Sequence, residues 1–373
     1  MRHYVAGKPA ASPCRCDDTP VLTPRQRWEA VVRGERADRV PCDYWGTDEI
    51  TGRLKRDLGC ATDRELWERL GVDKLVQLVP SHPRATETTW HLQSFFSVWH
   101  IGTRKIPYAD GLGYYEEAVE HPLAAAGSVQ DVERFDWPDP GDWDLSGLRA
   151  QSEAWRDYPQ LAGGCEIFYL YCRLRGMEQA LQDLVAEPLI ADAILDRIAA
   201  FDLALTRRIL DEVGDQVLFS YVAEDLGTQD SLLMSPRLFR RFLKPHMTRM
   251  IDLVHSYGVK VFHHDDGAMR PMLPDLIDMG IDVLNPVQWR CRGMEREGLV
   301  RDFGGKLIFH GAVDNQQTLP YGTPEDVRNE VRANIEIFRD ARGYMVAPCH
   351  NLQANTPTEN VVAMYAAVAE FGG

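Results

Sequence analysis

The segment His264-Asp265-Asp266-Gly267 carries the residues with the clearest chemical potential. Residues two apart on an extended chain share a face, so the His264 imidazole and the Asp266 carboxylate can converge on one ion. Cys349, at the end of a later apolar run, adds a sulfur atom. Nitrogen, oxygen and sulfur of these kinds all bind zinc, and three protein ligands with an open position are typical of a catalytic site. The sequence therefore predicts a metal site at His264, Asp266 and Cys349, with Glu224 as a candidate fourth ligand.

The same residues also allow chemistry without a metal. His264 and Asp266 could work as an acid–base pair, and a buried cysteine usually behaves as a small hydrophobic residue. A shift of one residue moves the side chains of a strand to its other face. His263 is therefore an alternative to His264, and His350 is an alternative to Cys349.

Further polar residues follow the other apolar runs. Glu224 and Asp225 are predicted to be catalytic together with His264 and Asp266. The residues predicted to bind substrate are Asp43, Gln229, Asn285, Gln288, His310 and Asn315. Buried ionisable groups are costly unless they are paired or bind something, so their recurrence at the ends of several runs indicates a functional site.

These polar residues lie within or just after eight short apolar runs. The runs are 41–45, 74–80, 161–167, 216–224, 259–264, 282–288, 307–313 and 344–349. Amphipathic helical patterns separate most of them, at 188–213, 236–257, 271–279, 324–338 and 358–371. Such alternation predicts a parallel sheet covered by helices, and eight strands predict an α/β fold of the (β/α)8 TIM-barrel type. In that fold the ends of the strands form one catalytic rim.

About 80 residues separate the second run from the third and interrupt the alternation. Within a β-rich insertion at about 85–150, residues 93–101, 103–107 and 114–120 are predicted to form an antiparallel meander. An insertion after a barrel strand lies over the active-site face, where it could be a lid, a partner surface or a simple plug. The predicted organisation is a flexible lead at 1–22 and one barrel domain at 23–373.

The composition narrows the class of function. The 373 residues carry a net charge of −15, which argues against nucleic acid or an anionic membrane as the partner. No run of about 18 apolar residues is present, and residues 1–20 lack the apolar segment of a signal peptide. The eight scattered cysteines do not suggest a disulfide framework, so a cytoplasmic location is predicted.

Several motifs, taken together, resemble the uroporphyrinogen decarboxylase superfamily. They are Leu-Asn-Pro-Val-Gln at 284–288 with the preceding 274–282, Glu-Asp-Leu-Gly-Thr-Gln at 224–229, the stretch 236–242, His-Gly-Ala-Val-Asp at 310–314, and Thr-Pro-Thr-Glu-Asn-Val at 356–361. The resemblance runs from about Thr23 to the last residue. It implies a (β/α)8 barrel and is compatible with a homodimer.

The resemblance implies one of two chemistries. True uroporphyrinogen decarboxylases grip substrate carboxylates with an Arg-rich segment, whereas 41–47 here contains no arginine and adds negative charge. The coenzyme M-type, cobalamin-dependent methyltransferases hold zinc with a His-x-Cys-Gly motif and a later Cys. His264, Gly267 and Cys349 match that pattern, but Asp266 stands where the family has Cys. A zinc with one thiolate is a harder Lewis acid than one with two, and it suits an oxygen substrate better than a thiol.

The leading hypothesis is a zinc-dependent methyltransferase that moves a methyl group between a small methylated substrate and a corrinoid protein. The sequence lacks the corrinoid-binding motif Asp-x-His-x-x-Gly, so the corrinoid would come from a partner. One alternative is a metal-free decarboxylase, a carboxy-lyase in which Asp43 orients the substrate. Another is a non-catalytic accessory protein that binds a tetrapyrrole or a corrinoid.

Overall fold

The computed structural model describes residues 21–85, 96–108 and 111–373. The first twenty residues of the predicted lead lie outside the described residues. The helices are α1 (Pro24–Val32), α2 (Asp48–Leu58), α3 (Asp63–Leu70), α4 (Val129–Glu133), α5 (Leu148–Ala154), α6 (Ile167–Arg175), α7 (Met177–Ala186), α8 (Pro188–Val213), α9 (Pro236–Phe242), α10 (Lys244–Ser256), α11 (Leu273–Met279), α12 (Arg296–Phe303), α13 (Thr318–Tyr321), α14 (Pro324–Ile337) and α15 (Thr358–Phe371). The strands are β1 (Val76–Gln77), β2 (Gly102–Tyr108), β3 (Gly113–Glu120), β4 (Gln160–Cys165), β5 (Phe219–Ala223), β6 (Lys260–His264), β7 (Val283–Val287), β8 (Ile308–Val313) and β9 (Gly343–Pro348).

Seven parallel strands form the central sheet, in the order β1-β4-β5-β6-β7-β8-β9. Every residue of β4, β5, β7 and β8 is buried, as expected when both faces of a parallel sheet are covered. A core cluster fills the inside of the curled sheet and includes Trp28, Phe219, Tyr221, Phe262, Val283, Ile308 and Met345. A larger cluster packs helices such as α8 against the outer face. The strands β4 to β9 correspond to six of the eight predicted runs, and the short strand β1 lies within a seventh, 74–80.

The first predicted run joins the two edges of this sheet. The Asp43 N–H donates to the Val346 carbonyl in β9, and the Asp73 N–H, just before β1, donates to the Cys42 carbonyl. The prediction of a full strand at 41–45 is wrong, because Cys42 forms only an isolated parallel bridge with Val346. The reason is local: the Asp43 carboxylate accepts the N–H groups of Tyr44 and Leu75 in place of a strand partner. The result is a TIM-barrel-like α/β fold.

Local sequence signals set the helix ends. At the start of α14 the Thr323 hydroxyl accepts the Asp326 N–H and the Asp326 carboxylate accepts the Thr323 N–H, which is a capping box. Gly280 ends α11 at a φ of 103°, a conformation that glycine adopts without strain. The predicted helix at 236–257 is instead two helices, α9 and α10, that meet at Leu243. Pro245 lies in the first turn of α10 and has no N–H with which to continue a helix.

The insertion forms a hairpin in place of the predicted meander. Strands β2 and β3 pair antiparallel and correspond to the predictions at 103–107 and 114–120. Of the third predicted strand, residues 93–95 lie outside the described residues, and Phe96–Trp99 form a 3-10 helix. This turn brings Trp99 edge-on against Phe201 of α8, with ring centroids 4.8 Å apart. The hairpin also contacts the loop after β9, where Gln353 Nε2 donates to the Tyr115 hydroxyl at 2.6 Å.

Within residues 21–85, 96–108 and 111–373, no helix combines the length and apolar character that crossing a bilayer requires.

Candidate active site

His264 is the last residue of β6 and faces the inside of the curled sheet. Its ring is nearly parallel to the rings of Trp45, at a centroid distance of 5.6 Å, and of Tyr221, at 5.8 Å. The neighbouring His263 points the other way, is fully buried and contacts the Val222 carbonyl through Nδ1 at 2.7 Å. The strand register therefore brings His264, and not His263, to the rim.

A buried chain of hydrogen bonds runs from His264 into the core. His264 Nδ1 lies 2.6 Å from Asn285 Oδ1, Asn285 Nδ2 lies 2.6 Å from His310 Nδ1, and His310 Nε2 lies 3.2 Å from Asp43 Oδ2. A carboxylate only accepts, so His310 donates from Nε2 and accepts at Nδ1. The Asn285 amide nitrogen must then face His310, and its oxygen must accept a proton from His264 Nδ1. The chain leaves the lone pair of His264 Nε2 directed at the rim.

Asp43 anchors this chain as an ionised carboxylate. It accepts the Trp45 indole N–H at 2.7 Å and the backbone N–H groups of Tyr44 and Leu75, and the Lys74 ammonium lies 3.7 Å away. Burial opposes its ionisation, but Lys74 and the hydrogen bonds outweigh that effect and hold the pKa of Asp43 below its usual range. Asp43 thus positions other groups, and its oxygens are already occupied.

His310, in the middle of this hydrogen-bond chain, is fully buried. Burial lowers the pKa of His310 despite the neighbouring Asp43 carboxylate, so His310 is neutral near pH 7. A neutral His310 has the single donor and single acceptor that the chain requires. Asn285, His310 and Asp43, all predicted to bind substrate, therefore form the support of His264.

His264, Asp266 and His350 form a cluster that could hold a metal ion. One ligand atom from each lies within 4.8 Å of the others. His264 Nε2 is 3.9 Å from Asp266 Oδ1, and His350 Nε2 is 3.7 Å from Asp266 Oδ2. Two imidazole nitrogens and a carboxylate oxygen are a donor set that zinc accepts. We call these three residues the rim cluster.

Asp225 supplies an observation that fits a cation at the rim cluster. Its Oδ1 atom is buried, has no hydrogen-bond partner among the described residues and lies 3.6 Å from His264 Nε2. The Asp225 side chain as a whole is 47% exposed, but this one oxygen is buried, and a bound cation would satisfy it. Asp225, predicted to be catalytic, is thus placed beside the cluster as a possible fourth ligand.

Gln288 orients Asp266. Its Nε2 donates to Asp266 Oδ1 at 2.8 Å, while its Oε1 accepts the Gly267 N–H at 2.7 Å. Because both ends of the Gln288 amide are occupied, this side chain supports the carboxylate rather than offering free atoms to a substrate.

The structure does not bring Cys349 into the rim cluster. Strand β9 ends at Pro348, and the Cys349 thiol turns outward to donate to the Val287 carbonyl at 3.1 Å. Burial raises the pKa of this thiol well above its usual range. His350, one residue later, points to the inside and takes the place predicted for Cys349. The group that could hold a metal ion in the described structure is therefore His264, Asp266 and His350, with Cys349 outside it.

Glu224 also lies apart from the rim cluster. Its carboxylate accepts the N–H of Phe168 at 2.8 Å and that of Tyr169 at 3.2 Å, at the start of α6. Burial raises the pKa of Glu224 well above its usual range despite these bonds. Its geometry is that of a helix cap, so the predicted roles as a catalytic residue and fourth ligand are not supported.

Two cavities open beside the rim cluster. One, of about 480 Å³, contains Asp266 and His350 and is lined by Gln229, Gln288 and Asn315 of the predicted substrate-binding set. The other, of about 380 Å³, lies against His264 and His350. Its lining includes Trp45, Tyr221, Lys74 and Gln77. Trp45 and Tyr221 were not predicted as site residues, since aromatic side chains inside a barrel resemble ordinary core residues.

Known proteins resemble this chain in sequence and in structure. A methyltransferase from Methanosarcina mazei superposes with a TM-score of 0.67 over 94% of this chain and 99% of its own, at 20% identity, which shows a shared fold. Uroporphyrinogen decarboxylase from Pseudoalteromonas translucida is 25% identical over 287 residues, 71% of this chain and 76% of the relative. The enzyme of that name from Thermus thermophilus is 30% identical over 134 residues, 34% of this chain and 35% of the relative. The family model for uroporphyrinogen decarboxylase (URO-D) matches residues 156–371, more than half of the chain. The chain belongs to the URO-D family.

Proposed function

We propose that this URO-D family member transfers a methyl group between a small methylated substrate and a corrinoid carried by a partner protein. The observation that carries the proposal is the convergence of His264, Asp266 and His350 within 4.8 Å. Zinc accepts these donor atoms, and Asp225 Oδ1 is the fourth ligand in this proposal. Likeness of fold to a methanogen methyltransferase supports the reaction class.

When bound at the rim cluster, zinc supplies a Lewis acid that polarises the oxygen or nitrogen to which the methyl group is attached. The protein supplies the geometry. The hydrogen-bond chain through Asn285 holds the His264 ring with its Nε2 lone pair toward the rim. The Gln288 side chain fixes the Asp266 carboxylate. The rings of Trp45 and Tyr221 pack nearly parallel to the His264 ring and help to fix its orientation.

The ligand types also bear on the substrate. With His350 in place of Cys349, the cluster contains no thiolate, whereas sulfur ligands are soft and reduce the positive charge of the metal. A site of nitrogen and oxygen ligands suits a methyl ether or a methylated amine better than a methylated thiol. The placement of His350, and not Cys349, in the cluster strengthens the preference inferred from Asp266.

A metal-free decarboxylase is the second candidate, because the sequence relatives are uroporphyrinogen decarboxylases. Two observations weigh against it. Asp43, the proposed orienting carboxylate, is fully buried and its oxygens are engaged by four donors. The 480 Å³ cavity is lined by no Lys or Arg among the described residues, and the one Lys or Arg that lines the 380 Å³ cavity there is Lys74, which already lies 3.7 Å from the Asp43 carboxylate.

The proposed architecture is a closed barrel of eight strands. Residues 41–45 would serve as the irregular eighth strand of a closed (β/α)8 barrel, supported by the backbone bonds of Cys42 and Asp43. Residues 23–373 would form one domain, with the insertion over the active-site face. The bond from Gln353 to Tyr115 supports that placement of the insertion.

A methyl-transfer assay with free cob(I)alamin tests the proposal. The purified protein, supplied with zinc, is incubated with a panel of methyl ethers and methylated amines, and formation of methylcobalamin is followed by absorbance. We expect turnover with at least one substrate, lost in His264→Ala and retained in His100→Ala, a histidine in the insertion. Both assays are run under anaerobic conditions. Removal of carboxyl groups from uroporphyrinogen, without methyl transfer to cobalamin, would favour the decarboxylase instead.

A further inference from the structure

The 480 Å³ cavity beside the rim cluster has an unusual lining. Six of its twelve lining residues carry carboxamide side chains. They are Gln229, Gln288, Asn315, Gln316, Gln353 and Asn355. Thr228 and Tyr321 add two hydroxyl groups, and the carboxylate in the lining is that of Asp266. The cavity is therefore polar but nearly uncharged, unlike the acidic chain as a whole.

Most of these carboxamides keep hydrogen-bonding capacity for a ligand. The amide nitrogens of Asn315, Gln353 and Asn355 donate to protein atoms, so their oxygens remain without partners in the described part of the chain. Gln229 shows the reverse arrangement, because its oxygen accepts the Cys291 thiol and its amide nitrogen remains. The side chain of Gln316 makes no hydrogen bond to another described residue. We call these five residues, without Gln288, the amide subsite.

A mixture of open donors and acceptors selects the ligand by its chemistry. A hydroxyl group both donates and accepts, so a row of hydroxyls matches such a lining. An anionic ligand would lose its hydration and find no cation among the lining residues. An ammonium group would meet only Asp266, which Gln288 and the rim cluster already engage.

We propose that the amide subsite binds the neutral, polyhydroxylated part of a sugar-like substrate. The inference rests on the proposed function, since it places the methyl-bearing oxygen of that substrate at the rim cluster, where Asp266 and His350 border the same cavity. Tyr321, 75% exposed at the edge of the cavity, presents a ring on which the C–H face of a sugar can stack.

Ligand binding measured by saturation-transfer NMR and calorimetry tests this inference without relying on turnover. The probes are a panel of methyl hexopyranosides and O-methyl hexoses, with glucuronate and glucosamine as the anionic and cationic comparisons. We expect saturable binding of at least one neutral probe and much weaker binding of both charged sugars. Loss of two hydrogen bonds in the double variant Asn315→Leu/Gln316→Leu should weaken binding roughly tenfold or more.

Gln182→Leu is the matched control, because Gln182 lies exposed on α7 and does not line the cavity. It should bind the neutral probe as the unaltered protein does. The single variant Gln316→Glu adds a carboxylate with little change in shape. It guards against misreading a folding defect and should reverse the preference toward glucosamine.

Three results would overturn the inference: no neutral probe binds, glucuronate binds more tightly than the neutral sugars, or the double variant binds like the control. The measurement is repeated on protein stripped of metal with a chelator and on His264→Ala. Sugar binding by unaltered protein that takes up no metal even when zinc is supplied would contradict the proposed methyl transfer alone. Metal binding and methyl transfer from simple ethers without sugar binding would contradict the amide subsite alone.

Discussion

The Asn285 carboxamide oxygen lies 2.6 Å from His264 Nδ1 and determines which nitrogen of that imidazole carries the proton. The other end of the same carboxamide contacts His310, which in turn contacts Asp43. A carboxylate fixed in the core therefore sets the tautomer of a histidine at the rim. Support of this kind commonly decides how well a histidine binds metal.

Replacing Asn285 tests this arrangement. Asn285→Leu removes the acceptor for His264 Nδ1 and the donor for His310, so zinc affinity should fall roughly 10- to 100-fold. Competition with a chromophoric chelator measures the affinity. Asn285→Asp keeps an acceptor for His264 and should lose less. Wild-type affinity in Asn285→Leu would show that the contact has no effect on the site.

His350→Ala and Cys349→Ser separate the two candidate third ligands. His350 belongs to the rim cluster, whereas the Cys349 thiol donates to a backbone carbonyl. His350→Ala should lose stoichiometric metal, and Cys349→Ser, which retains a donor, should keep it. Elemental analysis of the two purified variants gives the answer. The opposite pattern would restore the ligand set predicted from the sequence.

These two positions also show where reasoning from sequence reaches its limit. A period of two predicted that His264 and Asp266 lie together, and His264 Nε2 is 3.9 Å from Asp266 Oδ1 although β6 itself ends at His264. No such period applies after Pro348, where β9 has ended, so the choice between Cys349 and His350 required the loop geometry. The strands β4 to β9 were predictable because continuous apolar runs are typical of buried parallel strands.

The buried chain was beyond prediction for a different reason. Asp43 and His310 are 267 positions apart, and their contact depends on the closure of the sheet rather than on any local pattern. The catalytic role of Glu224 stays a prediction, because its hydrogen bond with the Phe168 N–H shows that a polar residue at a strand end can cap a helix as readily as it can face a substrate. The break at Leu243 was visible in the sequence as Pro245, but the helical periodicity continued through it.

Glu224 should prove structural. Glu224→Gln keeps an acceptor for the N–H groups of Phe168 and Tyr169. It also removes a buried carboxyl whose ionisation is opposed by burial, which raises its pKa. It should retain metal and should not lower the melting temperature at pH 7, whereas Glu224→Ala should cost about 1–3 kcal/mol of unfolding free energy. Calorimetry and metal analysis measure the two effects. Loss of metal in Glu224→Gln would return this residue to the site.

Asp43 should govern stability with a defined pH dependence. Its pKa is below the usual range in the folded protein, so its ionised form stabilises the fold above the unfolded pKa, about 3.9. That contribution is lost as the pH falls through the folded pKa. Asp43→Asn leaves donors such as Trp45 Nε1 less well paired and should cost about 1–3 kcal/mol at pH 7.

Urea unfolding of the unaltered protein and Asp43→Asn across pH measures this difference. It should stay constant from about pH 7 to pH 5 and shrink only below about pH 4, where Asp43 becomes protonated in the unfolded and then the folded state. A difference that disappears between about pH 7 and pH 6 would point to titration of a histidine instead.

Metal content of the purified protein, measured by mass spectrometry of the elements, tests the central claim most directly. The account predicts about one zinc or similar divalent ion per chain, lost in His264→Ala and in His350→Ala and retained in His100→Ala. The account would be contradicted if the purified protein, after incubation with zinc, held no stoichiometric metal. It would also be contradicted if all three variants held equal amounts of metal.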